Sequence, residues 1–127
     1  MKTHPKATRQ LEYVAFCDFE LSTMEGPAHV FIAVDAYSQF AFSLGIERDK
    51  SPETVLKNIY FLMENEDFVP HIENGFTLVM REYEELSDEI NAIIKPVKGK
   101  LLFSKSFNSQ LSNYVLKSFR NSFRQKE

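Results

Sequence analysis

The sequence is poor in the residues on which many simple chemistries depend. A single cysteine, Cys17, stands among 127 residues, which excludes an internal disulfide framework and a cysteine-based zinc site. It lies beside Phe16 in an apolar run, where a thiol serves as a small buried hydrophobe rather than as a nucleophile. A reducing, intracellular (cytoplasmic) location is therefore expected. The three histidines, His4, His29 and His71, form no pair at helical or strand spacing, so no histidine metal site is expected. Four glycines make no phosphate-cradling loop. No apolar run reaches the roughly 20 residues of a membrane span, and no membrane partner is expected. The opening "MKTHPKATRQLEY" is basic but lacks the apolar segment of a secretory signal.

What is present suffices for a core. Hydrophobic residues make up 43% of the chain and include 12 Phe, enough for one folded domain of ordinary size. Residues 1–10 are polar and expected as a flexible arm, with residues 11–127 forming a single domain. Charge is divided unevenly. Residues 1–94 carry 7 Lys and Arg against 17 Asp and Glu, whereas residues 95–127 carry 8 against one acid, Glu127. The split hidden within a net charge of −3 predicts a basic face on the last third of an acidic domain.

Hydrophobic periodicity gives the order of elements. "EYVAFCDFELS", "HVFIAVDAYS" and "QFAFSLGIE" are rich in β-branched and aromatic residues and are joined by short turns, which predicts an antiparallel meander. The second is apolar at nearly every position, as in a central strand buried on both faces. "SPETVLKNIYFLMENED" predicts a helix with Ser51 as N-cap, Pro52 at its first position and Glu53 favourable near the helix dipole. Its apolar face is Val55, Ile59, Leu62 and Met63. "FTLVM" follows as a fourth strand, then a helix over "REYEELSDEINAII" with Tyr83, Leu86, Ile90 and Ile93 inward, stopped by Pro96. The acids of "REYEELSDE" read as its solvated face. "GKLLFS" is a fifth strand, and "SQLSNYVLKSFRNSFRQ" a closing helix with Leu111, Val115, Phe119 and Phe123 four apart. The fold class is thus α/β, a mixed five-stranded sheet flanked by helices with right-handed crossovers.

That order, with Asp18 in the first strand and "VDAYSQF" in the second, resembles the ribonuclease-H-like catalytic core of retroviral integrases and transposases. "SPETVLKNI" is similar to the helix that follows the third strand in those families. The resemblance covers nearly the whole chain as a succession of elements and is most specific over residues 14–62. It implies a core domain of a mobile genetic element, engaged with DNA and its integration, and a piece of a longer protein with flanking DNA-binding domains. It carries Asp18 over as the first catalytic carboxylate. Asp35 matches a recurrent second-strand aspartate that is not a metal ligand, and the reading preferred for it is structural.

The chemistry of such enzymes needs two divalent metals about 4 Å apart, held by several converging carboxylates. Mg2+ or Mn2+ is expected here only if further acids complete the site around Asp18, and no other cofactor is implied. With "FTLVM" as the fourth strand, Met80 or Arg81 takes the place of the second acid, and Glu82 is the nearest carboxylate. A rival register through "PHIENGF" offers Glu73, and the residue at the spacing of the third carboxylate is then Asn108, an amide. Neither register supplies a full triad. The expectation is a degenerate site with impaired or absent strand transfer. A non-catalytic interaction or dimerisation domain on the same scaffold is the alternative.

The last predicted helix points to a partner. Gln110, Asn113, Lys117, Arg120 and Arg124 recur at steps of three and four, opposite the apolar stripe, and Lys95, Lys98, Lys100 and Lys105 lie just upstream. Such a face suits the phosphates of DNA, in sequence-independent contact. Alternatively, it is the solvated face of a helix, or its charges balance acids elsewhere in an oligomer such as a homodimer.

Overall fold

The three apolar runs form the expected meander: β1 (Tyr13–Thr23), β2 (Gly26–Asp35) and β3 (Ala41–Glu47). The computed structural model describes residues 6–72, 75–113 and 117. β1 and β2 pair antiparallel without interruption from Val14↔Asp35 to Thr23↔Gly26. The two-residue turn between them closes on Gly26, whose φ of 111° is open to glycine and costly for other residues. Across the sheet β2 pairs antiparallel with β3. β4 (Phe76–Met80) and β5 (Gly99–Phe103) then add in parallel on the other side of β1. The order is β3-β2-β1-β4-β5, which makes the sheet mixed and puts β1 in its middle.

Because alternate residues of a strand face opposite sides, the doubly apolar β1 and β2 feed two cores. Val14, Phe16, Phe31 and Ala33 join one cluster with helix α1 (Pro52–Met63) and helix α2 (Ser87–Ile94). Ala15, Cys17, Ile32 and Val34 join a second cluster with Phe107 and Leu111 of helix α3, which starts at residue 105. α1 begins as its sequence predicts: the Ser51 side chain accepts from the Thr54 N–H at 3.3 Å, Pro52 occupies the first turn and Glu53 follows. Val55, Ile59 and Leu62 are fully buried.

Two helices depart from expectation. In α2 the inward residues are Ile90 and Ile94, in step with Leu86 of the preceding 3-10 turn, with Ile93 only partly buried. Tyr83 stands outside the helix in the left-handed region (φ 75°), before a single 3-10 turn at Glu84–Leu86. α3 starts about four residues earlier than its apolar stripe suggests. Ser104 caps it, its hydroxyl accepting from Phe107 N–H at 3.4 Å and its carbonyl from Asn108 N–H at 3.0 Å. The early start is what brings Phe107 and Asn108 onto the sheet. Val115, Phe119 and Phe123 lie outside the described residues. Among the described residues, no helix is long and apolar enough to cross a membrane.

Candidate functional site: an acid pair closed by a lysine

β1 and β4 pair from Tyr13↔Thr77 to Ala15↔Val79, and there the ladder stops. Where parallel strands part, carbonyl groups lose their partners and need others. Asn108 supplies them from α3. Its Nδ2 donates to Phe16 O at 2.9 Å and to Val79 O at 2.8 Å, with the residue 1% exposed. An ionised carboxylate in this position would offer no proton to either carbonyl. The geometry therefore calls for an amide, in the region where the integrase resemblance would seek an acid.

Just past this junction, Asp18, still paired with Phe31 of β2, has its side chain about 20% exposed. Lys50, carried by the loop between β3 and α1, places its Nζ 2.9 Å from Asp18 Oδ2 and 3.3 Å from Glu82 Oε1. Glu82 comes from the segment that follows β4. One ammonium thus bridges two carboxylates from separate segments of the chain. Partial burial works against the Lys50 charge. The hydrogen bond and attraction of Asp18, reinforced by Tyr83 and Glu82, outweigh it and hold the ammonium pKa above the ordinary lysine value. Burial likewise pushes the Tyr83 phenol up, against the pull of Lys50.

The loop that delivers Lys50 is itself fixed. Asp49 Oδ1 accepts from Thr54 Oγ1 at 2.5 Å and from Ser51 N–H at 2.9 Å. These bonds, the Thr54 hydroxyl first, lower its carboxyl to about 2. Asp49 and Ser51 together tie the entry of α1, and Lys50 between them is aimed at β1.

The crevice beside this cluster is lined by Asp18, Arg81, Glu82, Tyr83, Asn108 and Ser112 and has a volume of about 10 Å3, room for a single water. Cys17 borders it but is buried, and desolvation pushes its thiol up to about 12. It remains protonated and inert at neutral pH. Among the described residues, no three or more His, Cys, Asp or Glu converge as ligands for a metal. The two carboxylates that do meet share a cation already, one tethered to the backbone, and a second cation, Arg81, lines the same crevice. This donor set does not fit a pair of divalent ions, which need several oxygen ligands without an ammonium between them.

The other residues singled out in the sequence lie elsewhere. Asp35, 2% exposed, accepts from Leu11 N–H, Tyr37 N–H, Ser38 N–H and the Ser38 hydroxyl at 2.7 to 3.3 Å. It shapes the β2–β3 turn and anchors the chain before β1. Gln110, Asn113 and Lys117 are exposed; Arg120, Arg124 and Glu73 lie outside the described residues. Lys50 had no signal in the sequence. No local spacing links it to Asp18 or Glu82, and only the sheet order brings the β3–α1 loop over the ends of β1 and β4.

The fold has a solved counterpart. A chain in the cryo-EM structure of the simian T-cell lymphotropic virus intasome in complex with PP2A regulatory subunit B56 gamma superposes on 97% of this chain with a TM-score of 0.69 and 7% sequence identity. The likeness is one of fold, an integrase-like arrangement, and the matched region makes up 44% of that chain. No protein-family model matches the sequence, and no curated protein does.

Proposed function

We propose that this chain is a divergent integrase- or transposase-type core, ribonuclease-H-like in descent, that engages nucleic acid without performing metal-dependent strand transfer. The observation that carries the reading is the Lys50 ammonium between Asp18 and Glu82. Two-metal phosphodiester chemistry needs a divalent pair to activate the nucleophile and stabilise the leaving oxygen; a lysine fixed in that place can do neither. Asn108 supports the same conclusion, since its amide is committed to holding β1 and β4 together. DNA engagement rests on the exposed Gln110, Asn113 and Lys117, continued in sequence by Arg120 and Arg124. The intasome chain of similar fold is consistent with this partner.

The test joins two assays on the same preparation: cleavage and joining of labelled duplex with Mn2+ present, and fluorescence anisotropy of that duplex across salt concentrations. The expected result is sequence-independent binding that weakens with salt, with no turnover. Turnover abolished by Asp18→Asn would overturn the catalytic half of the reading, and absence of binding at low salt the other half. A second reading, a dimerisation domain on this scaffold, is favoured by one feature. Edge strand β3 and neighbouring α1 leave Ile46, Tyr60 and Phe61 exposed at 71%, 53% and 39%, large apolar side chains of the kind that subunit contacts cover. Sedimentation equilibrium separates the two: a nucleic-acid-binding monomer supports the first, and a dimer indifferent to duplex the second.

A further inference from the structure

At the opposite end of β4 from Lys50, three polar side chains stand side by side. Tyr13 of β1 pairs with Thr77 of β4, and Thr77 with Lys100 of β5. Ala15, Val79 and Leu102, two residues along each strand, belong to the cluster under α3, so Tyr13, Thr77 and Lys100 share that face of the sheet. At the edge of the row Phe107 of α3 meets the Tyr13 ring edge-on at 5.7 Å. The row borders a polar cleft of about 220 Å3 whose lining also includes Arg9, Glu12 and Lys98.

The walls of this cleft are built by chain segments far apart in sequence. Arg9 Nη2 donates to Gly75 O at 3.2 Å, which holds the guanidinium against the start of β4. Gly75 has φ of 84°, and a Cβ there would lie 2.4 Å from Lys98 O, so only glycine lets the two walls approach. Lys98 itself adopts the left-handed region at φ 60°. Among the described lining residues the one acid is Glu12, which is held by Thr8 and also attracted by Arg9. Its Oε1 accepts from Thr8 N–H at 2.6 Å and from Thr8 Oγ1 at 3.1 Å. Among the described residues, no ion pair or hydrogen bond engages the Lys98 and Lys100 ammonium groups or the Thr77 and Tyr13 hydroxyls. Among the described lining residues, three cations stand against one carboxylate, and the Lys98 and Lys100 ammonium groups lie beside the free Thr77 and Tyr13 hydroxyls.

We propose that this cleft binds a phosphate group. The chemistry is specific to a multivalent oxyanion. A guanidinium supplies forked N–H donors, two ammonium groups supply point charge, and two hydroxyls orient the oxygens that remain. The phosphate has two candidate sources, a free phosphate or phosphomonoester and the diester backbone of a nucleic acid. The proposal does not rest on the reading of the Lys50 site, which lies beyond the other end of β4.

Titration of the 15N-labelled full chain with inorganic phosphate at constant ionic strength tests it, with a duplex bearing 5′-hydroxyl ends as a second arm. Saturable shifts are expected at the amides of Gly75, Thr77, Lys98 and Lys100. The K98Q/K100Q double variant should keep the wild-type spectrum elsewhere and bind phosphate roughly tenfold more weakly or worse. Thr77→Val keeps every charge, so a few-fold loss in that variant marks a shaped site rather than diffuse attraction. A response to phosphate alone assigns the cleft to small phosphorylated ligands; a response to duplex that phosphate displaces, or to duplex alone, assigns it to the backbone. The proposal is overturned if neither ligand gives saturable shifts at these amides, or if the double variant responds as wild type does.

Discussion

Beyond the end of β4, Asp18 and Glu82 close on one ammonium at 2.9 and 3.3 Å around a crevice of about 10 Å3. At its start, Arg9, Lys98 and Lys100 line a cleft of about 220 Å3, with Glu12 the one acid among the described lining residues. The same sheet thus carries one charge cluster that is satisfied from within the chain and one that is not. In the first, the opposite charges meet within the chain: the carboxylates bind Lys50, and the Asn108 amide binds two carbonyls. In the second, Arg9 is tied to backbone carbonyls, and among the described residues the Lys98 and Lys100 ammonium groups have no ion-pair partner. Charged residues alone do not mark a site. What separates the two ends is whether the protein has already supplied the counter-charge.

The largest effect should come from making the satisfied end unsatisfied. Asn108→Asp places a buried carboxylate against the Phe16 and Val79 carbonyls, and should cost about 3–5 kcal/mol in denaturant unfolding at neutral pH. A change below about 1 kcal/mol would show that the amide is not the tie between β1 and β4. Lys50→Met should cost less, roughly 1 kcal/mol, because the bridge is partly solvated. Its pH dependence has a definite sign. The folded pKa of Lys50 is raised, so its contribution is fully present below the unfolded value of about 10.4 and is lost as pH rises through the folded value. The stability difference between wild type and variant should therefore be flat between about pH 7 and 9 and begin to shrink only above about 10.4. By contrast, Lys98→Gln or Lys100→Gln at the open end should change stability by less than about 0.5 kcal/mol. A larger loss there would mean that those cations are structural too.

Two smaller effects sharpen the picture of the closed end. Cys17, with its thiol pushed up to about 12 by burial, should resist a thiol reagent at pH 8 in the native protein and react at once when unfolded. Asp49 should titrate near 2 by carboxyl-carbon NMR, and Thr54→Val should return it toward the usual range by removing its largest hydrogen bond. An unmoved Asp49 would show that Thr54 does not help to fix the loop carrying Lys50.

Much of this was legible in the sequence because it is local. Apolar runs rich in β-branched and aromatic residues gave the strands, Ser51 and Pro52 gave the start of α1, and the apolar density of β1 and β2 gave a sheet with a core on each face. Asp18 could be placed on the central strand for the same reason. Elements governed by tertiary contact were harder to read. α3 starts early because Asn108 and Phe107 are needed at the sheet, and the apolar stripe that suggested its span begins later. Tyr83 sits at helical spacing from Leu86 and Ile90, yet its backbone takes φ of 75° beside Lys50, and the helix forms after it. Lys50 and the row Tyr13–Thr77–Lys100 arise from strand order and register, which no spacing along a single segment encodes.

The account stands on the claim that Lys50 fills the position a divalent cation would need. Paramagnetic Mn2+ titration of the 15N-labelled protein tests that directly, with wild type, Asp18→Asn and Lys50→Met compared. The account predicts no selective broadening of amides around Asp18 and Glu82 in the wild type, and its appearance, weak and at one site, once Lys50→Met leaves the two carboxylates facing each other. Tight binding of two ions by the wild type, lost in Asp18→Asn, would contradict it.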